Sequence, residues 1–336
     1  MRVPNPAEAL PNGVKPEAAA GSTPRSHSHP LVGVCICTCD RADVIGRALE
    51  SVLGQSLHPD EIIVIDQSSG SETEGIVAGF NAREPRIGYL RVAEKGLSRA
   101  YNTATANTSA DILAFTDDDC VAPAGWLEQI VRCFSAEPDA GLLYGQVLIP
   151  AELKASENVQ GITPALPIPR RRRMNRRDGF EVFGMGANFA ARRSLLNDLG
   201  GFDLVLGGGG PLESSQDFDL SYRAYRAGHT VLLAPEVVVY HYGFRAFNDW
   251  PRTISSYGIG LGGFYAKHVR LGDPYAARLL TARLVREGLR ALKKSVTGRG
   301  HAIDWILFRY TLIGLKRSFE FSIDRDAMLY RMPDRP

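Results

Sequence analysis

Asp111-Ile112-Leu113-Ala114-Phe115-Thr116-Asp117-Asp118-Asp119-Cys120 is an apolar run of strand length that ends in three consecutive carboxylates. Like charges at contact distance raise one another's pKa, so a triplet at the end of a buried strand calls for a cation beside it. A hard divalent ion is one solution, held by one or two carboxylates with its other positions on phosphate oxygens. A solvated acidic turn is the other, since Asp is a good turn residue. The fragment alone leaves both open.

Upstream, residues 31–38 (Leu-Val-Gly-Val-Cys-Ile-Cys-Thr) form a nearly continuous apolar run, the mark of a strand buried on both faces. Residues 43–53 carry Val44, Ile45, Ala48, Leu49 and Val52 at helical spacing, and residues 61–66 form a second buried strand. A helix over 75–82, a strand over 87–92, a helix over 98–106 and the strand at 112–115 continue the alternation. Strands alternating with helices predict a parallel α/β sheet, which binds ligands at the carboxyl ends of its strands. Thr38-Cys39-Asp40, Asp66-Gln67-Ser68 and Asp117-Asp118-Asp119 all fall at such ends, so together they mark a site.

At 336 residues, 44% hydrophobic and 23% charged, the chain reads as globular, with room for one large domain or two ordinary ones. A net charge of +2 gives no global pull toward nucleic acid, and no nucleic-acid partner is expected. Five cysteines include Cys35, Cys37 and Cys39 on one strand face, read as small reduced core residues of a cytosolic protein. Residues 1–30, rich in Pro, Ala, Ser and His, read as a disordered tail without an apolar signal region, and no stretch reaches membrane-spanning length.

Beyond residue 120, a helix over 126–134 and a strand over 142–149 precede a basic stretch, Arg170-Arg171-Arg172-Arg173 with Arg176 and Arg177. It reads either as a solvated loop or as a contact for anionic lipid or a phosphate-bearing substrate. Residues 184–190 lead into a helix ending near Gly200-Gly201-Phe202-Asp203, and the glycines at 207–210 predict a mobile loop. Asp217 then sits in the first turn of an amphipathic helix. There it can satisfy free amides or act as a general base. A strand over 231–240 ends at His241.

The ordered series Thr38-Cys39-Asp40-Arg41, Gln55, Val64-Ile65-Asp66, Gly96-Leu97-Ser98-Arg99, Asp117-Asp118-Asp119, Gly200-Gly201-Phe202-Asp203, Gln216-Asp217 and His241 resembles the family-2 glycosyltransferases over about residues 31–245. The resemblance implies the GT-A fold: a Rossmann-like, mixed nucleotide-binding sheet with helices on both faces, here followed by a C-terminal helical extension. It implies an inverting, metal-dependent enzyme that moves a sugar from a nucleotide-diphosphate sugar to an acceptor hydroxyl of a glycan or lipid-linked sugar. Cell-envelope or exopolysaccharide synthesis, in the cytoplasm, is the expected setting. The implied division is a donor half over 31–120, an acceptor half over 121–250 and helices over 251–336.

By the same resemblance, Thr38, Asp40, Arg41, Asp66, Arg99, Asp117 and Asp118 bind the nucleotide sugar. Asp117 and Asp119 form the D-x-D pair, and with His241 they hold Mg²⁺ or Mn²⁺. Asp217 is the base, Asp219 is its rival, and Gly186, Asn188 and Gln216 shape the acceptor pocket with Trp126 below the metal loop. Cys39 stands where the family often has Tyr, Tyr101-Asn102 where it often has Arg-Asn, and Gln216 where it usually has an acid. Those departures leave a catalytically degenerate sugar-nucleotide or membrane-surface binding protein as the alternative. A sugar-nucleotide pyrophosphorylase is weaker, because residues 37–40 are not a Gly-rich basic loop.

Residues 258–263 satisfy G-x-G-x-x-G without a preceding strand, so close helix packing or a membrane-facing surface fits them better than a dinucleotide. The helix over 274–296 carries Val285, Leu289, Leu292 and Val296 among Arg278, Arg283, Arg286, Arg290, Lys293 and Lys294. A second apolar segment over 303–315 is broken by Arg309. These helices either cap the catalytic domain or lie at the inner face of the plasma membrane as a peripheral contact.

Overall fold

The computed structural model describes residues 30–154, 161–297 and 302–333, so the expected tail over 1–30 lies outside the described residues except for Pro30. β1 (Val32–Thr38) leads into α1 (Ala42–Leu53), whose Ile45, Ala48, Leu49 and Val52 are buried. β2 (Glu61–Asp66), α2 (Glu72–Asn81), β3 (Ile87–Arg91), α3 (Leu97–Ala106) and β4 (Ile112–Asp117) follow in alternation. The four strands pair in parallel in the order β3-β2-β1-β4. Register aligns Thr38 with Asp66 and Cys37 with Asp117, so the three polar strand ends meet at one edge. Cys39 lies past the end of β1 and is only half-buried, which corrects its reading as a core residue.

The second half adds β5 (Cys120–Val121), α4 (Trp126–Ala136), β6 (Ala140–Leu148), α5 (Ala151–Lys154), β7 (Gly161–Ile162), β8 (Arg172–Met174) and β9 (Asn188–Arg192). After these come α6 (Arg193–Asp198), α7 (Gln216–Ala227), β10 (Thr230–His241) and β11 (Arg245–Ala246). The sheet continues β4-β9-β6-β10-β5, with β9 antiparallel to both of its neighbours. Each face has its own core. Ile45, Leu49, Trp126 and Ile130 fill one, and Tyr101, Phe115, Leu220 and Phe264 fill the other.

Three expectations change here. The basic stretch is an ordered edge strand, because β8 pairs antiparallel with β10. Three of its arginines are neutralised there: Arg171 pairs with Glu236, Arg172 with Glu181, and Arg173 with Glu137 and Asp139. Part of the segment read as leading into a helix is the central strand β9. The glycines at 207–210 form a hydrogen-bonded turn rather than a loose loop. Gly207 and Gly209 take positive φ, Leu97 N donates to Gly208 O, and Ser98 Oγ donates to Leu206 O.

Past the sheet lie α8 (Trp250–Arg270), α9 (Pro274–Val296) and α10 (Ala302–Arg317), then a small hairpin of β12 (Ile323–Asp324) and β13 (Leu329–Tyr330). The glycines of residues 258–263 are a packing face. A side chain on Gly262 would strike the Thr311 and Leu315 backbone, and one on Gly314 would strike Ile259 O. Among the described residues no helix is long and apolar enough to cross a membrane.

Candidate active site

Because β4 ends at Asp117 on the same edge as Thr38 and Asp66, the carboxylate triplet turns there into β5. β5 pairs with the tail of β10, setting His241 opposite Cys120. The ligand atoms of Asp117, Asp119, Cys120 and His241 consequently lie within 4.8 Å of one another. His241 Nε2 is 3.1 Å from Asp119 Oδ1, and its Nδ1 is 3.0 Å from Pro164 O. A carbonyl only accepts, so Nδ1 carries the proton and donates, which leaves the Nε2 lone pair facing the carboxylates in the neutral ring. Metal-binding histidines are usually fixed in this way.

Charge supports the same fit. Arg41 reaches Asp118 Oδ1 at 2.9 Å and also bonds Asp119, while Thr38 Oγ1 donates to Asp118 Oδ2 at 2.7 Å. Three carboxylates therefore face Arg41 and, when protonated, His241. Burial and the neighbouring Asp119 push the Asp117 carboxyl well up. Burial also raises Asp118 to about 6 against the pull of Arg41. For Asp119 burial acts upward, but His241 and Arg41 outweigh it and hold the group below the usual range. The cluster is short of positive charge, and its oxygen and imidazole donors suit Mg²⁺ or Mn²⁺. Cys120 is a poorer donor for such an ion, since burial keeps its thiol protonated.

Gly243 completes the cradle, and sequence reasoning missed it. Tyr242 N donates to Asp119 O, and a side chain on Gly243 would overlap the Asp119 carboxylate. Gly243→Ala is expected to weaken Mn²⁺-supported nucleotide binding by roughly ten- to a hundredfold with the thermal midpoint nearly unchanged. Parallel calorimetry and melting curves check both halves of that expectation.

The residues expected to bind the donor have the following partners. Asp40 has φ 55° and accepts from Ser69 N at 2.7 Å and Lys95 Nζ at 2.6 Å, and these bonds lower its pKa to about 2. Asp66 is fully buried, with its oxygens taken by Ser68 N and Tyr89 OH, so in this structure it organises the loop after β2. Arg99 pairs with Glu94 at 2.9 Å. Gln55 clasps the segment after the triplet, donating to Ala122 O and Pro123 O and accepting from Leu127 N.

The other wall carries Asp217 in the first turn of α7, next to the left-handed residues Glu213 and Ser215. Asp217 is partly exposed. Desolvation raises it to about 6, opposed by the amides of Phe218, Asp217 itself and Gly186. Its rival Asp219 is ruled out as a base by its partners. It is fully buried against Lys267 at 2.6 Å, Arg223 at 2.8 Å and His268 at 3.0 Å. Asn188 is corrected too: it is fully buried beneath the site, accepting from Trp126 Nε1 and donating to Gln146 O and Val237 O, so burial keeps its amide from an acceptor. Gly186 O accepts from Tyr101 OH at 3.4 Å, and Gln216 is buried beside Gly186 and Gly207. Tyr257 of α8, 40% exposed, lies within electrostatic reach of both Asp117 and Asp217. Nothing in its helical surroundings signals that position.

Comparison with known proteins places this geometry. The sequence pattern of glycosyl transferase family 2 matches residues 33–200. The pre-mycofactocin glycosyltransferase of Mycobacterium tuberculosis is 26% identical over 250 residues, which is 73% of this chain and 50% of that protein. This chain thus spans about half the length of that relative. Glycosyltransferase AglE of Haloferax volcanii is 27% identical over 217 residues, 63% of this chain and 67% of that one. Among solved structures, the mannosyltransferase PcManGT from Pyrobaculum calidifontis, in complex with GDP-Man and Mn²⁺, superposes with a TM-score of 0.58 at 20% identity. That match covers 85% of this chain and 87% of that one. A mixed sheet flanked by helices, with its polar strand ends at one edge, agrees with that architecture. The chain belongs to glycosyl transferase family 2, a family of GT-A glycosyltransferases.

Proposed function

We propose that this protein is an inverting, metal-dependent glycosyltransferase acting on a nucleotide-diphosphate sugar and an acceptor hydroxyl. The observation that carries the reading is the convergence of Asp117, Asp119 and His241 Nε2, with His241 Nδ1 anchored on Pro164 O. Mg²⁺ or Mn²⁺ bound there supplies Lewis-acid neutralisation of the charge that grows on the departing diphosphate. The binding of GDP-Man and Mn²⁺ by the structural relative supports this donor and ion class.

In this reading Thr38, Asp40, Arg41, Arg99, Asp117 and Asp118 line the donor side, and Asp66 holds the loop after β2 beneath them. Asp217 takes the proton from the acceptor hydroxyl. The acceptor oxygen then forms the bond to the anomeric carbon, and the bond from that carbon to the diphosphate oxygen breaks, its electron pair leaving with the nucleotide. Attack opposite the leaving group inverts the centre in one step. Gly186, Gln216 and Tyr257 border the space left for the acceptor, a glycan or lipid-linked sugar.

Titration of the purified protein with UDP, GDP and dTDP, each with Mn²⁺ and with EDTA, tests the donor and ion assignments. One nucleotide should bind in Mn²⁺ and lose at least about tenfold in affinity in EDTA, and Asp119→Ala should reproduce that loss. Metal-independent binding would remove the metal from the reading. Absence of binding under every condition would favour the degenerate alternative.

A further inference from the structure

α9 is built inside out. Its buried positions are Ala276, Glu287 and Ala291, and Glu287 is ion-paired with Arg283 on that inner side. The apolar stripe points the other way. Val285, Leu289, Leu292 and Val296 recur on one helical face and are 56%, 62%, 53% and 80% exposed. A helix that only caps a domain turns such a face inward, and a contiguous exposed apolar patch marks an interaction surface.

Both edges of the stripe say what covers it. Arg286, Arg290 and Lys293 run along one edge at helical spacing, and none has an ion-pair partner among the described residues. Their neighbours Arg283 and Lys294 are neutralised by Glu287 and Asp304. On the other edge, Trp305 Nε1 of α10 donates to Ser295 Oγ at 2.8 Å, which fixes a half-exposed indole beside the stripe. Aliphatic centre, cationic edge and indole border are together the chemistry of an anionic bilayer surface. Long basic side chains can bury their stems while their charges reach the headgroups.

We propose that the outward face of α9, bordered by Trp305, lies on an anionic bilayer, with Val285, Leu289, Leu292 and Val296 below the headgroups and Arg286, Arg290 and Lys293 at lipid phosphates. No described helix can span the bilayer, so the contact is peripheral. It would hold the transfer site beside a membrane without contributing to the chemistry.

Co-sedimentation of the full chain with phosphatidylcholine vesicles, with and without phosphatidylglycerol, tests this. Partitioning should require phosphatidylglycerol and weaken as salt shortens the Debye length. Leu289→Asp with Leu292→Asp, and separately Arg286→Glu with Lys293→Glu, should each lower it by at least roughly tenfold. Thermal midpoint and nucleotide binding in Mn²⁺ should not move in either double variant, which keeps this test separate from the donor-site reading. Failure of the wild type to partition, or equal partitioning by both variants, overturns the proposal. So does a lipid-free, concentration-dependent dimer that Leu289→Asp with Leu292→Asp dissolves, since the face then belongs to a second copy.

Discussion

Asp217→Asn should lower kcat by roughly a hundred- to ten-thousandfold while leaving nucleotide affinity in Mn²⁺ close to wild type. The substitution keeps the shape and the Oδ1 that accepts from Phe218 N at 2.9 Å, so the first turn of α7 has no reason to unravel. What is lost is the ability to accept a proton. The pH profile gives an independent reading of the same group. Desolvation raises Asp217 to about 6, and a base works only when ionised. The acidic limb of kcat/KM should therefore bend near pH 6 and fall about tenfold per pH unit below it. Asp217→Asn should abolish that limb in whatever rate remains. A wild-type rate in Asp217→Asn would remove it from the mechanism.

The second large effect falls on stability rather than on chemistry. Lys267→Ala should destabilise the fold by about 3–5 kcal/mol, because it leaves buried carboxylates without their ammonium. Lys267 Nζ bridges Asp203 and Asp219 at 2.6 Å each, with all three side chains fully buried. Burial alone would raise Asp219, but Lys267 and Arg223 outweigh it and hold that carboxyl below its usual range. Burial also pulls His268 down, so a neutral ring is a poor substitute for the missing charge. Arg223 is already spent on Asp219, Leu199 O and Gly201 O. Urea titration with a matched surface control, Lys316→Ala, checks the size of the loss. A midpoint shift no larger than the control's would show that the cluster tolerates the gap.

The first four strands were legible because each is a short apolar run closed by a polar end, and each helix between them shows period 3.6. β8 and β9 were not. β8 is Arg-Arg-Met, whose basic side chains read as solvent-facing until Glu137, Asp139 and Glu181 arrive from elsewhere in the chain. β9 is Asn-Phe-Ala-Ala-Arg, too short and too poor in β-branched residues to announce a central strand, and its two antiparallel neighbours are what make it one. The order of the turn at 207–210 is hidden for a related reason. Glycine signals conformational freedom, and only tertiary hydrogen bonds to α3 and Ser214 remove it.

At the site, residue type singled out the groups that converge, because the aligned strands bring the carboxylates at the end of β4 together with the histidine that ends β10. It could not separate Asp217 from Asp219. They lie two positions apart on one helix, and what distinguishes them is Lys267 and His268 on α8. Asn188 is the opposite case, because a polar residue near a site reads as a substrate contact whereas the core uses its amide. Gly243 carries no signal by itself, and its meaning lies in the side chain it lacks.

The in-step register of β1 with β2 and β4 also governs how this scaffold can diverge. Slipping a strand by one residue turns every side chain to the opposite face, so an insertion within β1 would bury Thr38 on the wrong side and displace the Asp118 hydroxyl partner. New donor preferences are therefore accessible through the lengths and residues of the loops that begin at Cys39, Gln67 and Asp118, whereas the strands beneath them tolerate exchange of side chains but not of spacing.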